Sequence, residues 1–183
     1  MDSSQTILGI DPALGTTGYG IIRNDNGRLR LVDAGVVRCN KKQPLECRLH
    51  ELFCGIKEII DEFHPSFFAI EQLFSHYDRP TTAILMGHAR GAIMLAATNA
   101  GLNVHSYAAT QIKKTLTGNG RAPKDQMQFA VKHQLGLNYV PEPADVADAL
   151  AIALTHYYCA QAAPIIASGT LTASQQATPR AAN

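Results

Sequence analysis

The chain has 183 residues, a length that suits one domain with its own hydrophobic core. Apolar residues make up 46% of it and charged residues 17%, which is typical of a globular protein. The net charge of +1 argues weakly against nucleic-acid binding, and no apolar run reaches the roughly 18 residues of a transmembrane helix.

The first half of the chain predicts a β-meander, a helix and a further strand. Short apolar or alternating runs predict strands at residues 6–11, 18–23, 29–38 and 66–71. Asn24-Asp-Asn-Gly27 is a hairpin turn signal between the second and third strands. Apolar residues at helical spacing predict a helix from Leu45 to Phe63, which His64-Pro65 ends.

The second half alternates helices with one last strand. Residues 81–100 form a helix that is poor in charge and apolar on more than one face, so it is either fully buried or shared with a partner subunit. A strand follows at 102–107, and helical patterns occupy 110–116, 124–135 and 144–160. The pattern predicts one domain over residues 1–163, an α/β fold whose mixed sheet is flanked by helices, and a disordered tail over 164–183.

Cysteine usage and the N-terminus favour the cytoplasm. The four cysteines form no CxxC pair, which indicates reduced thiols: Cys39, Cys47, Cys54 and Cys159. The first five residues lack the positive charge of a secretory signal, and nothing predicts association with a membrane.

Four carboxylates stand where this fold would bring them together. Asp11 and Glu71 end predicted strands, and sites in open α/β sheets form at the carboxyl ends of strands. Asp145 and Asp148 are three residues apart on one face of the last helix, amid alanines that permit close packing on a sheet. Four converging acids could hold two divalent ions about 4 Å apart, the arrangement used for in-line phosphoryl displacement.

Each acid also has a plainer interpretation. Asp11-Pro12 can simply open a turn, and Glu71 can be an exposed strand end. Asp145 and Asp148 can stabilise the helix dipole at an N-terminus. Only the four positions taken together favour a metal site.

Residues 105–134 carry five cations and one anion, a local charge of +4. The cations are Lys113, Lys114, Arg121, Lys124 and Lys132. Such a stretch fits contact with DNA phosphates, and it also fits a solvated helix face.

Five segments closely resemble the RuvC family of Holliday junction resolvases, in order and with matching spacing from about Ile7 to His156. They are Ile7-Leu-Gly-Ile-Asp11-Pro, Thr17-Gly-Tyr-Gly20, Phe68-Ala-Ile-Glu71-Gln, Gly87-His-Ala-Arg-Gly91 and Ala144-Asp-Val-Ala-Asp-Ala-Leu-Ala-Ile-Ala153. The resemblance implies a ribonuclease H-like fold with a five-stranded sheet, a homodimer, dependence on Mg²⁺ or Mn²⁺, a branch-migration motor as partner, and symmetric nicking of four-way DNA junctions.

The resemblance also implies roles for particular residues. The family's catalytic acids fall on Asp11, Glu71, Asp145 and Asp148. Its basic positions fall on Lys113 and Lys124, and the aromatic beside the junction falls on Phe74, which could instead fold into the core. We expect one ion on Asp11 and a helix aspartate, another between Asp11 and Glu71, and 5′-phosphate and 3′-hydroxyl products.

One departure concerns the turn after Asp11-Pro12. The family usually has glycine next, whereas this chain has Ala13. If that position required a positive φ, alanine would be disfavoured and the turn would differ.

Two other functions compete with the nuclease. Ile10-Asp-Pro-Ala-Leu-Gly15-Thr-Thr-Gly18 resembles the first phosphate loop of actin-like ATPases, but those proteins need a second such domain. A non-catalytic junction-binding protein would be expected to lack some of the four acids, and all are present. No GxxxxGK[ST] sequence occurs, which excludes a P-loop ATPase.

Overall fold

The computed structural model describes residues 5–73 and 80–162, which form an α/β domain. Its strands are β1 (Gln5–Asp11), β2 (Thr16–Asp25), β3 (Arg28–Arg38), β4 (Phe67–Glu71) and β5 (Val104–Tyr107). Its helices are α1 (Leu45–Phe63), α2 (Pro80–Asn99), α3 (Ala109–Thr117), α4 (Lys124–Gln134) and α5 (Ala144–Ala162). All the predicted elements are present, with ends that differ by no more than two residues.

The five described strands form one sheet in the order β3-β2-β1-β4-β5. The β1–β2 and β2–β3 pairs are antiparallel, and the β1–β4 and β4–β5 pairs are parallel. The predicted mixed sheet is therefore confirmed. The β2–β3 turn holds Asn26 at φ 54° and Gly27 at φ 89°, the backbone that an Asn-Gly turn supplies.

The two faces of the sheet bury separate cores. Because successive residues of a strand face opposite sides, Ile7 packs in the core beneath α5, whereas Leu8 packs in the core beneath α1 and α2. In β4, Ala69 lies on the α5 side and Ile70 on the other. This alternation also decides which face receives the residue that ends each strand.

Helix α1 ends where the His64-Pro65 pair predicts. His64 adopts a left-handed conformation at φ 44°, and its N–H donates to the carbonyl oxygen of Ile60. The chain then enters β4 at once. Within the described residues, no helix is long and apolar enough to cross a membrane.

Candidate active site

Asp11 and Glu71 end neighbouring parallel strands at the same edge of the sheet. The β1–β4 register pairs Ile10 with Ile70, so Asp11 and Glu71 are the next residues on two adjacent strands. Alternation places both on the face that α5 covers, because Ile7 and Ala69 lie on that face at even spacing from them. The sequence prediction that these two acids meet at the carboxyl edge is consistent with this geometry.

Close packing of α5 on β1 and β2 brings the other two acids to the same place. A Cβ added at Gly18 would lie 2.0 Å from the Asp145 carbonyl oxygen, and one added at Gly9 would lie 2.2 Å from the Ala149 carbonyl oxygen. The α5 backbone can come this close to the sheet only because both positions are glycine. The N-terminal turns of α5, with Asp145 and Asp148, therefore lie directly on β1 and on β2, where Gly18 is the pairing partner of Asp11.

Burial and the other three acids act together on the Asp11 carboxyl group. Burial, followed by the charges of Glu71, Asp148 and Asp145, raises the pKa of Asp11 to about 7, against an opposing effect of Lys124. Burial and then Asp148 also raise the pKa of Glu71. Mutual repulsion of this kind makes the group a strong attractor of cations.

Two lysines reach this acidic group from α3 and α4. The Lys124 ammonium lies 3.6 Å from a carboxylate oxygen of Asp148, and both side chains are partly exposed. Burial raises the pKa of Asp148, while Lys124 and Lys113 lower it. Lys113 likewise lowers the pKa of Glu71. Both lysines therefore act on Asp148.

Two clefts open at this edge of the sheet. The first has a volume of about 300 Å³ and is lined by Glu71, Ala109, Ile112, Lys113, Lys124, Met127, Asp148 and Ala151. The second, of about 550 Å³, is lined by Asp11, Pro12, Glu71, Gln72, Leu73, Met86, Ala108, Ala109 and Thr110. Glu71 and Ala109 border both clefts, and the two adjoining clefts are called the groove below.

The donor set fits a hard divalent cation. Carboxylate oxygens are the ligands that Mg²⁺ and Mn²⁺ take in proteins, and Mg²⁺ is usually held by only one or two of them, with water and substrate phosphate completing its shell. Among the described residues, no three His, Cys, Asp or Glu side chains are arranged so that they could hold one ion.

The loop between β1 and β2 is closed by Thr17, a residue to which the sequence prediction gave no role. Its buried hydroxyl donates to the Ala13 carbonyl oxygen and accepts from the Ala13 N–H at 3.2 Å. Ala13 is not among the described residues with positive φ, so alanine is tolerated after Asp11-Pro12. In the sequence, the only sign of this contact is the Thr17-Gly18 pair, a small hydroxyl residue followed by glycine.

Two other residues predicted to bind DNA do not line the two clefts. Lys114 and Arg121 are exposed and line neither cleft, although each is within three residues of a lysine that does. Phe74 lies outside the described residues. Sequence reasoning also gave no role to Arg90, which contacts the backbone of Glu71.

Comparisons with known proteins agree on one family. The family model described as crossover junction endodeoxyribonuclease RuvC matches residues 7–156. The protein of that name from Rhodopirellula baltica is 56% identical over 158 residues, which cover 86% of this chain and 89% of the relative. Thermus thermophilus RuvC in complex with Holliday junction substrate is 34% identical, with a TM-score of 0.81 over 86% of this chain and 95% of that one.

The yeast mitochondrial Holliday junction resolvase Ydc2 shares the fold at 14% identity, with a TM-score of 0.57 over 85% of this chain and 83% of that one. The predicted fold is confirmed by these likenesses. Because the family model spans most of the chain and the identities are high, the chain belongs to the crossover junction endodeoxyribonuclease RuvC family.

Proposed function

We propose that this chain cuts four-way DNA junctions by metal-dependent nicking of two opposing strands, during recombination and repair. The observation that carries the proposal is that Asp11, Glu71, Asp148 and two lysines line the two adjoining clefts at the sheet edge. The solved complex of the Thermus thermophilus relative with Holliday junction substrate supports the choice of DNA.

We assign the metal ligands to the four acids, Asp11, Glu71, Asp145 and Asp148. Mg²⁺, two ions per protomer, suits an all-carboxylate set, and Mn²⁺ should substitute for it. When bound, such ions neutralise charge on the scissile phosphate and activate water at neutral pH. Asp11 is the member on which the others converge, since burial and then Glu71, Asp148 and Asp145 all raise its pKa. The products are a 5′-phosphate and a 3′-hydroxyl.

The lysines bind the phosphate in this proposal. Lys124 and Lys113 line the first cleft beside Glu71 and Asp148, within reach of a phosphate that enters the groove. Fixed cations there stabilise negative charge that develops in the transition state. Lys114 and Arg121 are exposed and would contact the DNA backbone outside the groove, where they position the duplex without reading its bases. Phe74 is proposed to stack on an unpaired base.

The exposed face of α2 is the proposed dimer surface. Ile84 and Leu95 each leave 60% of their surface accessible, which is unusual for large apolar side chains. Between them, a Cβ added at Gly87 or Gly91 would meet nothing within 4 Å, so a second helix can approach closely. A two-fold enzyme suits a two-fold substrate. We further propose a cytoplasmic location and a branch-migration motor as partner.

Replacement of Asp145 tests whether this acid is needed for cleavage of the junction and not for binding to it. We expect Asp145→Asn to lower the cleavage rate by on the order of 10²–10³-fold, because it removes an anionic ligand of the cation that would stabilise negative charge in the transition state. Junction affinity should stay nearly unchanged, since the fold and the lysines remain. Rates come from a labelled junction in Mg²⁺, and affinities from fluorescence polarisation in EDTA.

Asp61→Asn provides the control, because Asp61 is an exposed aspartate of α1 that pairs with Lys57 away from the site. Its rate and affinity should match the parent's. If Asp145→Asn lost binding as much as cutting, Asp145 would be structural and the assignment wrong.

A further inference from the structure

Arg90 of α2 joins two strand ends at the edge that carries the acids. Its Nε donates to the backbone carbonyl oxygen of Glu71 at 3.1 Å. Its Nη2 donates to the Ser106 hydroxyl at 2.7 Å. One rigid guanidinium therefore holds β4 and β5 from the helix that packs over them.

Glu71 lies where β4 loses its pairing with β1. On one side, Glu71 pairs with Tyr107 of β5, and the Gln72 N–H donates to the Tyr107 carbonyl oxygen at 2.8 Å. On the other side, the β1–β4 register runs from the Ile7–Phe67 pair to the Ile10–Ile70 pair, so Glu71 follows its last pair. Arg90 bonds the residue at which the chain leaves the sheet.

We propose that Arg90 is a positioning residue, which fixes the backbone of Glu71 and thereby aims the Glu71 carboxylate into the groove. The inference rests on the proposed metal-binding role of Glu71. Displacement of a reacting or ligating group by about 1 Å can lower a rate on the order of 10²-fold, so a held backbone matters for cleavage.

The effect of Arg90 is geometric. The guanidinium contacts a carbonyl oxygen and a hydroxyl, and neither contact is with a carboxylate. A lysine at this position keeps the charge but cannot reach both acceptors with a planar fork.

The test compares Arg90→Ala, Arg90→Lys and Ser106→Ala with Arg23→Ala as control. Arg23 is an exposed arginine of β2 that pairs with Thr6 near the start of β1, at the end of the sheet opposite Asp11. Four quantities are measured: the single-turnover cleavage rate, the half-saturating Mg²⁺ concentration, the dissociation constant for the junction, and the ¹⁵N shift of Gln72 in the metal-free protein.

For Arg90→Ala we expect a rate loss on the order of 10²-fold and a several-fold rise in half-saturating Mg²⁺, with junction affinity retained. The Gln72 ¹⁵N shift should move in EDTA, because its peptide shares the Glu71 carbonyl. Added guanidinium should restore much of the rate, and Arg90→Lys should fall between parent and alanine. Arg23→Ala should match the parent throughout.

Parental cleavage and Mg²⁺ dependence in Arg90→Ala would overturn the inference. A loss of junction affinity as large as the rate loss would also overturn it, since Arg90 would then be a DNA contact. If Arg90→Ala fails to fold, Ser106→Ala decides: a smaller rise in half-saturating Mg²⁺ supports positioning, and an unchanged value rejects it.

Glu71→Gln separates this inference from the proposed function. Parental cleavage by Glu71→Gln would remove the metal-binding role of Glu71, on which both proposals stand. An inactive Glu71→Gln beside a fully active Arg90→Ala would reject the role of Arg90 alone.

Discussion

Asp11 and Glu71 hold equivalent places, each as the last residue of a central parallel strand and each on the face that α5 covers. Strand alternation and the carboxyl-edge rule were enough to predict their meeting. Asp145 and Asp148 could be placed on one helix face from their spacing. Their approach to Asp11 depends on the packing of α5 against glycines of β1 and β2, and the spacing of apolar residues in the sequence does not predict such packing.

The basic residues were harder to predict. Neighbours on a helix point about 100° apart, so Lys113 lines a cleft whereas Lys114 is exposed. Which of the two faces the acids is decided by how α3 docks on α5. The local charge of the segment could not distinguish them.

Lys124 tests the proposed phosphate contact at this scale. We expect Lys124→Ala to lower the cleavage rate on the order of 10²-fold, because a fixed cation is removed from the groove. It should also reduce the slope of log affinity against log salt by about 0.9, the value for one lost phosphate contact. Affinity is measured from 50 to 200 mM salt.

The control is Lys57→Ala, which removes an exposed cation of α1 that pairs with Asp61. It should leave both the rate and the slope unaltered. A Lys124→Ala protein that behaved in the same way would contradict the phosphate role.

The helix and strand boundaries were predictable because turn and capping chemistry is local. His64-Pro65 and the Asn26-Gly27 turn set their boundaries through backbone preferences that the sequence states directly. The approach of α5 to β2 is a tertiary fact. In the sequence it left only a trace, the glycines of Thr17-Gly-Tyr-Gly20.

Gly18 tests how much that approach matters. A Cβ there would meet the Asp145 carbonyl oxygen at 2.0 Å, and a backbone atom cannot yield as a side chain can. We expect Gly18→Ala to lower the free energy of unfolding by about 3 kcal/mol, the upper end of overpacking costs, and to abolish cleavage. Denaturant unfolding measures the first effect.

Gly15→Ala serves as its control, because an added Cβ there would meet only the flexible end of Lys41 at 3.1 Å. Its stability should stay close to the parent's. Equal stability of the Gly18→Ala protein would show that α5 can shift without cost.

His156 ties the end of α5 to β5 and predicts an acid dependence of stability. It is 3% exposed, and its Nδ1 shares a hydrogen bond of 2.8 Å with the Tyr107 hydroxyl. Burial, followed by the charge of His105, lowers the pKa of His156 to about 4. Below about pH 6.5, His156 therefore binds a proton in the unfolded chain, whereas in the folded protein it stays neutral until the pH approaches 4.

The resulting stability is complete above pH 6.5 and is lost as pH falls toward 4, by at most about 3 kcal/mol. We expect His156→Gln to be less stable at pH 7 and to lack this part of the acid dependence. Urea unfolding from pH 7 to 4 measures it, with the exposed His133→Gln as control. Parallel pH curves for parent and His156→Gln would refute the effect.

At the scale of the whole molecule, the sequence predicts that α2 is either fully buried or shared with a partner subunit, without deciding between them. In the described chain, one side of α2 packs into the core that it shares with α1, through Ala89, Ile93 and Ala97, and the opposite side exposes Ile84 and Leu95. This favours the second alternative. A single chain could not decide it, because the same apolar pattern suits a core and an interface.

Leu95→Glu tests the dimer surface. A buried, unpaired charge between two helices is costly, so we expect the variant to be monomeric in analytical ultracentrifugation, and to bind junctions more weakly. Phe129→Glu is the matched control, since Phe129 of α4 is 65% exposed and lies off the proposed surface. A monomeric parent, or a Leu95→Glu protein that remained dimeric, would disprove this surface.

The most direct measurement incubates the purified protein with an end-labelled four-way junction and with a linear duplex of matched sequence, each in Mg²⁺ and in EDTA. We expect paired nicks in opposite strands of the junction, in Mg²⁺ only, with ends that a ligase seals. Junction binding without cutting in Mg²⁺ would contradict catalysis by the four acids, and equal cutting of the duplex would contradict a junction-specific nuclease.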